Sequence, residues 1–268
     1  MDVALVIGYL ALGGVIGFLA GLLGIGGAMV MVPFLTIIFT HEHFPREHMV
    51  HIAVATAMAT IVFTSLSNMH AHNRHGAVLW PVVRGLVPGI LLGSLLGPLI
   101  VSGMSAMVLA SIFAVFAAFS GAQMIWGKAP KATRELPGKL GLIGAGTGIG
   151  ILSGMIGAGG AFVTVPFLER CNVKIHNAVA TSAALGLPIA AAGTVGFIVT
   201  GLRQTGLPPH SLGYVYLPAL LCIAVASMLF APVGARLAHG LPVKQLKHAF
   251  GGMLFGVAAF MIWKVATR

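Results

Sequence analysis

The 268-residue chain is 58% hydrophobic and only 7% charged, with a mean hydropathy of +1.01. Soluble domains carry roughly 25% charged residues, so this composition excludes an ordinary soluble domain and indicates an integral membrane protein. Lys and Arg together number 15 against 5 for Asp and Glu. In a membrane protein such an excess sets the orientation of the loops, and we therefore expect no nucleic-acid partner.

Eight apolar runs follow one another along the chain, and most reach the roughly 17–25 residues that a membrane span needs. They lie near residues 3–22, 52–69, 77–101, 104–126, 140–156, 178–200, 212–235 and 248–263. No Lys or Arg precedes the first run and no small-residue cleavage site follows it, so we expect no removed signal peptide. The sequence predicts an all-α polytopic membrane protein whose surroundings are the lipid bilayer.

One stretch of the chain occurs twice. Residues 21–35 read GLLGIGGAMVMVPFL and residues 154–168 read GMIGAGGAFVTVPFL, with ten of the fifteen positions identical. An AVAT segment follows each copy, at Ala53–Thr56 and Ala178–Thr181. The chain is therefore a duplicated unit, and each copy opens with a helix that glycines break.

The duplication divides the chain into two membrane repeats, residues 1–126 and 140–268, of about four transmembrane helices each. Residues 127–139 between them carry four basic residues and predict a cytoplasmic linker. If each broken helix turns back like a hairpin, the two repeats are inverted, and most loop Lys and Arg residues fall on one side of the membrane. If each break is crossed in one continuous span, that bias disappears. The positive-inside rule therefore predicts inverted repeats with both termini outside the cytoplasm.

The two glycine breaks are the candidate binding site. Irregular backbone at membrane depth survives only when it is buried in protein or lines a cavity. Gly-interrupted segments at matching places in two halves point to a transporter binding site, although a kink that serves helix packing is the alternative. Inverted repeats would aim two helix N-termini at each other, and such N-termini attract anions. The candidate residues are Gly24, Gly26, Gly27, Ala28, Gly157, Gly159, Gly160 and Ala161.

Four further residues are candidates for the same site. Thr56, Thr181 and Ser182 belong to the matched AVAT stretches and could donate hydroxyl hydrogen bonds, or could bond back to their own helix. Arg84 lies inside the apolar run 77–101 without an acid nearby in sequence. An ionisable residue there is either a charge partner for the substrate or a side chain that reaches out to the interface.

Histidines form two clusters, one in the loop 41–51 and one at residues 70–75. Imidazole is a common metal ligand, but the span between the clusters holds them about 27 Å apart, and the first cluster offers no regular ligand pair on one helix face. We therefore expect no metal and no cofactor. No Asp or Glu lies deep in a span. If transport is coupled to protons, the proton would therefore bind His51 or His176. Coupling to a sodium ion is the alternative. No nucleophile stands beside a base, which predicts that the protein is not an enzyme.

The paired glycine motifs, each followed by AVAT, resemble the twin signature of the TauE/SafE sulfite-exporter family. The polar stretch from Asn68 to Gly76 is similar to that family's turn after the next span. The resemblance covers residues 5–265 and implies a permease of a prokaryotic cytoplasmic membrane. Its expected substrate is a small anion such as sulfite or an organosulfonate, moved by alternating access.

The first copy departs from the family pattern at one position. Where family members carry Thr-Ser after the conserved alanine, this chain has Thr56-Ala57 in the first copy and keeps Thr181-Ser182 in the second. The serine therefore has no symmetric role. The alternative functions are a transporter of another substrate, such as a metal ion, and an anion channel. The sequence gives neither the direction of transport nor the oligomeric state.

Overall fold

The computed structural model describes residues 3–23, 28–74, 77–127, 135–238 and 243–266. These residues form ten α-helices and one β-hairpin. The first half contains α1 (Val3–Leu23), α2 (Ala28–His41), α3 (Met49–Arg74), α4 (Trp80–Ser102) and α5 (Ala106–Trp126). The second half contains α6 (Lys139–Ile156), α7 (Ala161–Arg170), α8 (Ile175–Gly201), β1 (Ser211–Leu212), β2 (Val215–Tyr216), α9 (Leu217–Ala238) and α10 (Val243–Ala266).

The helices coincide with the apolar runs of the sequence. Seven segments of the described chain are long and apolar enough to cross a membrane, and two shorter apolar helices, Met29–His41 and His248–Trp263, accompany them. Large apolar side chains such as Val115 and Leu229 remain about two-thirds exposed on the outside of the bundle. Such surface suits lipid, since soluble proteins rarely expose large apolar patches. The prediction of a polytopic, helical membrane protein is confirmed.

The helices pair mainly across the two halves. In chain order α1 corresponds to α6, α3 to α8, α4 to α9 and α5 to α10. The outer helix α1 packs on α9, and its counterpart α6 packs on α4. Two further large contacts join corresponding helices, α3 with α8 and α5 with α10, and α4 also packs on α8. Each half therefore completes its core only against the other half.

Glycines allow the closest of these contacts. Gly13 of α1 lies so near α9 that a Cβ there would stand 2.7 Å from the carbonyl oxygen of Ile223. Its counterpart Gly146 in α6 lies equally close to the main chain of Leu86 in α4. Small residues let helix backbones approach in this way, and a larger side chain at either position would push the two helices apart.

The central helices α3 and α8 lie side by side in opposite directions. Gly186 of α8 lies against Ser65 of α3, and Gly193, seven residues later, lies against Met58, seven residues earlier. These two helices are also the most buried of the candidate spans. The corresponding helices of the two halves are thus antiparallel at the centre of the bundle.

Helix α4 runs in the same direction as both α6 and α8. The contacts that fix these directions are Gly85–Leu142 and Gly97–Gly154 for α4 with α6, and Leu79–Thr181 and Pro98–Gly196 for α4 with α8. The two helices that flank the ten-residue helix α7 therefore point the same way.

The start of the predicted run 212–235 is not helical. Residues 211–216 form a hairpin in which Ser211 pairs with Tyr216 and Leu212 with Val215. Gly213 has a φ of 56°, which favours glycine, and its backbone packs tightly on Ile198 of α8. The Val and Tyr residues of this hairpin are buried. Hydropathy alone therefore predicts that the segment belongs to the span that follows it.

Candidate functional site

The second glycine break is a tight turn between α6 and α7. Gly157 ends α6 with a φ of 71°, and its N–H and that of Ala158 both donate to the carbonyl of Ser153, at 2.9 and 3.2 Å. Gly160 begins α7 with a φ of 78°. A residue with a side chain would lose about 1–2 kcal/mol at such angles. The positive φ angles therefore favour glycine at both positions of the turn.

The turn lies between the central helices, near the middle of their lengths. Gly157 and Gly159 face Val54 and Ile61 of α3, and Gly160 faces Ile189 of α8. Ile61 lies midway along Met49–Arg74, and Ile189 lies midway along Ile175–Gly201. The second break therefore stands at the centre of the bundle.

The N-terminus of α7 opens in this turn. The N–H groups of Val163 and Thr164 both donate to the carbonyl oxygen of Gly160, at 3.1 and 2.8 Å. The N–H groups at the first positions of a helix have no partner within it, and Gly160 has no side chain to cap them. Ala161 and Phe162 thus present donors and the positive end of the helix dipole toward the turn.

Two buried hydroxyl groups converge on the same turn. Ser153 Oγ lies 3.5 Å, and Thr164 Oγ1 3.6 Å, from the position that a Cβ on Gly160 would occupy. Their side chains are 1% and 0% exposed, and neither hydroxyl has a hydrogen-bond partner among the described residues. Buried polar groups are almost always paired, so two buried hydroxyls without a partner among the described residues, beside a helix N-terminus, fit a site for a ligand that accepts hydrogen bonds.

The first break lies outside the described residues. Gly24, Gly26 and Gly27 fall between α1 and α2, and Ala28 is the first residue of α2. Their role as binding residues stays a prediction from the sequence and from the equivalence of the two breaks.

The AVAT threonines hold the two halves together. The N–H of Tyr216 donates to Thr56 Oγ1 at 3.1 Å, and the N–H of Leu79 donates to Thr181 Oγ1 at 3.0 Å. Tyr216 and Leu79 each stand immediately before the first residue of a helix, in opposite halves. The hydroxyls that we predicted as substrate donors therefore accept a hydrogen bond, and each keeps its own proton to donate.

Ser182 is placed differently from its neighbour Thr181. It is 1% exposed, and its hydroxyl has no hydrogen-bond partner in the part of the chain that the structure describes. Along α8 it stands one helical turn before Gly186, which lies beside the carbonyl of Gly159. Ser182 thus belongs to the face of α8 that carries the second break.

Arg84 stands apart from the second break. Helix α4 begins at Trp80, so Arg84 lies in its second turn, and its side chain is exposed. The end of α6 meets α4 at Gly97, thirteen residues further on, which is about 20 Å along the helix. The structure does not bring Arg84 to Ser153 and Thr164.

The histidine loop forms no metal site in the described chain. His41 and His43 are exposed, and no group of three or more His, Cys, Asp or Glu ligands within the described ranges could hold a metal ion. The side chains of His70, His72 and His75 lie outside the described residues.

Ser153 and Thr164 were missed as site residues by the sequence reasoning. The signal was a difference between the copies, because the first copy has Ala20 and Met31 at the matching positions. A polar residue beside a break at membrane depth needs a hydrogen-bond partner. That these two polar residues replace apolar ones becomes visible only when the two copies are compared.

Comparisons with known proteins identify relatives among membrane transporters. The sulfite exporter TauE/SafE family matches residues 9–261. A probable membrane transporter protein of Haemophilus influenzae is 35% identical over 257 residues, which cover 95% of this chain and 97% of that protein. A probable membrane transporter protein of Bacillus subtilis, YdhB, is 29% identical over 87% of this chain and 91% of its own.

A more distant relative carries the same description. A probable membrane transporter protein of Methanocaldococcus jannaschii is 24% identical over 93% of this chain and 92% of its own length. No solved structure matches the chain. The expectation of a transporter and not an enzyme is in keeping with these relatives. The chain belongs to the sulfite exporter TauE/SafE family of membrane transporters.

Proposed function

We propose that this protein is a permease that moves a small oxyanion, such as sulfite or an organosulfonate, across the cytoplasmic membrane by alternating access. One observation carries the proposal: two buried hydroxyls, those of Ser153 and Thr164, have no hydrogen-bond partner among the described residues and lie beside Gly160 at the N-terminus of α7. Hydroxyl and main-chain N–H donors are the groups that bind an anion without a metal or a cationic side chain. The family's description as a sulfite exporter supports this class of substrate.

The charges of the described chain favour an anion over a cation. None of the side chains of Glu42, Glu47, Glu135 and Glu169 is buried, so the described core offers a cation no carboxylate. A site of neutral donors and a helix dipole attracts an anion without neutralising it by a fixed positive charge. Such a site suits a carrier, which must release its substrate as well as bind it.

The two repeats are inverted in the proposed permease. The corresponding helices α3 and α8 run antiparallel, and only a twofold axis perpendicular to them relates two such helices. Since α6 and α8 point the same way, the short helix α7 between them has to run back toward the side where α6 began. This supports a hairpin-like second break, as the positive-inside rule predicted.

The proposed substrate position is the middle of the membrane. The second break lies level with Ile61 and Ile189, at the centres of the two central helices. In transporters built from inverted repeats the substrate binds near the midplane, at discontinuous helices whose N-termini point at anionic groups. Rocking of one repeat against the other would then open this position to either side.

The inverted arrangement predicts the sidedness of the loops. A reporter fused after Arg268 and one inserted in the loop 42–48 should both read non-cytoplasmic, and one in the linker 127–139 should read cytoplasmic. Paired alkaline phosphatase and fluorescent protein fusions measure this. Termini on opposite faces would contradict the hairpin model, because the total number of crossings would then be odd, and two halves with an odd number each give an even total.

A flux screen tests the substrate class. The purified protein in proteoliposomes should take up labelled sulfite or methanesulfonate faster than protein-free vesicles, with saturation and with inhibition by the other anion. Flux that rises linearly with concentration would indicate a channel instead. Flux of divalent metal without anion flux would overturn the proposal.

A further inference from the structure

His51 is a titratable residue in the core of the bundle. Among the side chains that the structure describes, it is the one buried member of the His, Asp, Glu, Lys and Arg residues, with 2% exposure. Its counterpart in the second half, His176, is exposed. The permease site described above does not use this ring, so its burial calls for a separate role.

The hydrogen bonds of the ring define its protonation. His51 Nε2 lies 2.9 Å from the carbonyl oxygen of Val101 at the end of α4. A carbonyl oxygen can only accept, so Nε2 carries a proton and donates it. Nδ1 is also buried and finds no hydrogen-bond partner within the described ranges. The ring is therefore neutral in this conformation, with a free lone pair that can take a second proton.

The ring packs on the hairpin between α8 and α9. It stacks on Tyr214, with 5.3 Å between ring centroids and 23° between planes. His48, one turn earlier in the chain, contacts both rings and is only half-buried. His48 is thus the more exposed of the two neighbouring imidazoles.

The titratable groups that face His51 come from two elements. His48 stands before α3, and Tyr214 belongs to the hairpin. Main-chain carbonyls also face the ring. Those of Val101 and Met104 lie at the end of α4 and just after it, and that of Glu47 lies in the loop before α3. No carboxylate side chain of the described residues acts on the ring, so a protonated His51 would have no counter-ion here.

We propose that His51 is a proton-binding site of the transport cycle, an inference that rests on the proposed permease function. A proton on Nδ1 would create a buried positive charge without a carboxylate counter-ion among the described residues, and such a charge is strongly disfavoured away from water. The protonated ring therefore belongs to a second conformation, in which hairpin 211–216 has separated from α3 and Nδ1–H meets water.

Separation of the hairpin from α3 would affect both central helices, α3 of the first half and α8 of the second. Tyr216 of the same hairpin donates to Thr56, and Tyr214 donates its N–H to the carbonyl of Phe197 in α8 at 3.4 Å. A hairpin that leaves α3 would break the first of these bonds and shift the start of α9. Proton binding is thereby linked to movement of one repeat against the other, which alternating access needs.

Hydrogen exchange of the hairpin tests the proton site without any substrate. The purified protein is compared with His51→Gln, whose amide keeps a donor for Val101 but does not titrate. We expect hairpin amides of wild type to exchange faster at about pH 5.5 than at about pH 7.5 after correction for intrinsic rates, since an ordinary imidazole titrates near 6.5. In His51→Gln, and in His51→Asn as a second variant, this difference should vanish.

Matched variants separate His51 from other histidines. His176→Gln should keep the wild-type pH dependence, and so should His48→Gln, because neither ring is buried. A pH-dependent hairpin in the His51 variants, or a pH-independent hairpin in wild type, would overturn the proposal.

Uptake of methanesulfonate, which stays an anion across this range, should depend on pH in wild type and not in His51→Gln. Absence of uptake in wild type would count against the permease function. The hydrogen-exchange experiment would still show whether His51 is the proton-binding site.

Discussion

Replacing Gly160 by leucine should abolish anion uptake in proteoliposomes while the protein still folds and inserts. A Cβ at Gly160 would collide with Ile189 and would stand 3.5 Å from Ser153 Oγ and 3.6 Å from Thr164 Oγ1, in the space proposed for the anion. The added side chain would also cover the N–H groups at the start of α7. Size-exclusion elution and helix content measure folding, and uptake of labelled sulfite or methanesulfonate measures function.

Gly206 provides a matched control for backbone strain. It has a φ of 79°, close to that of Gly160, but lies in a loop with nothing near its Cβ position. Alanine should cost about 1–2 kcal/mol of strain at either glycine, and should impair uptake only at Gly160. Gly27→Leu should act like Gly160→Leu, since each repeat is expected to supply one break. Normal uptake by both leucine variants would show that the breaks do not line the pathway, and variants that fail to accumulate would favour a packing role.

The course of the helices could be predicted because membrane spans depend on one strong, local property. Long apolar runs gave the bounds of α1, α5 and α6 to within one or two residues of those observed. The hairpin 211–216 escaped notice because it directly precedes α9, so that its apolar Leu212 and Val215 extended the apolar run of that helix. Arg84 seemed deep for a related reason, since the apolar run began at residue 77 and the helix begins at Trp80.

The choice of partner helices could not be predicted in the same way. Nothing in the sequence near Gly13 indicates that α1 packs on α9 of the other half, because this contact joins residues some two hundred positions apart. The hydrogen bonds from Tyr216 to Thr56 and from Leu79 to Thr181 also join residues more than a hundred positions apart. The sequence singled out the threonines, but only three-dimensional packing shows which atoms they bind.

The sequence predicted the glycines of the candidate site but not its hydroxyl residues. Gly157 and Gly160 stood out because their motif is repeated. Ser153 and Thr164 stood out only through their counterparts, Ala20 and Met31, which carry no hydroxyl. The two copies therefore agree in the backbone of the break and differ in the polar groups beside it. This difference predicts that the second break contributes more side-chain contacts to the anion than the first.

Removing the two hydroxyls should weaken anion binding without destabilising the protein. In Ser153→Ala and Thr164→Val the shapes of the side chains are nearly kept, and no hydrogen bond of the described structure is lost. A hydrogen bond to a charged ligand contributes about 1.5–3 kcal/mol. Each variant should therefore raise the half-saturating anion concentration roughly 10- to 100-fold, since every 1.4 kcal/mol is about tenfold. Concentration-dependent uptake and thermal unfolding of the purified variants measure the two effects.

Ser120→Ala is the matched control for this prediction. Ser120 of α5 is likewise 1% exposed, and its hydroxyl is likewise unpartnered within the described ranges, but it lies beside Gly121 at the contact with α10. Loss of an unpaired buried hydroxyl should leave stability equal or slightly higher in all three variants. Only those at Ser153 and Thr164 should lose affinity, because only those hydroxyls face the turn at Gly160. Equal uptake by all three would mean that the anion binds elsewhere, and a loss of stability confined to Ser153→Ala and Thr164→Val would mean that these hydroxyls support the fold.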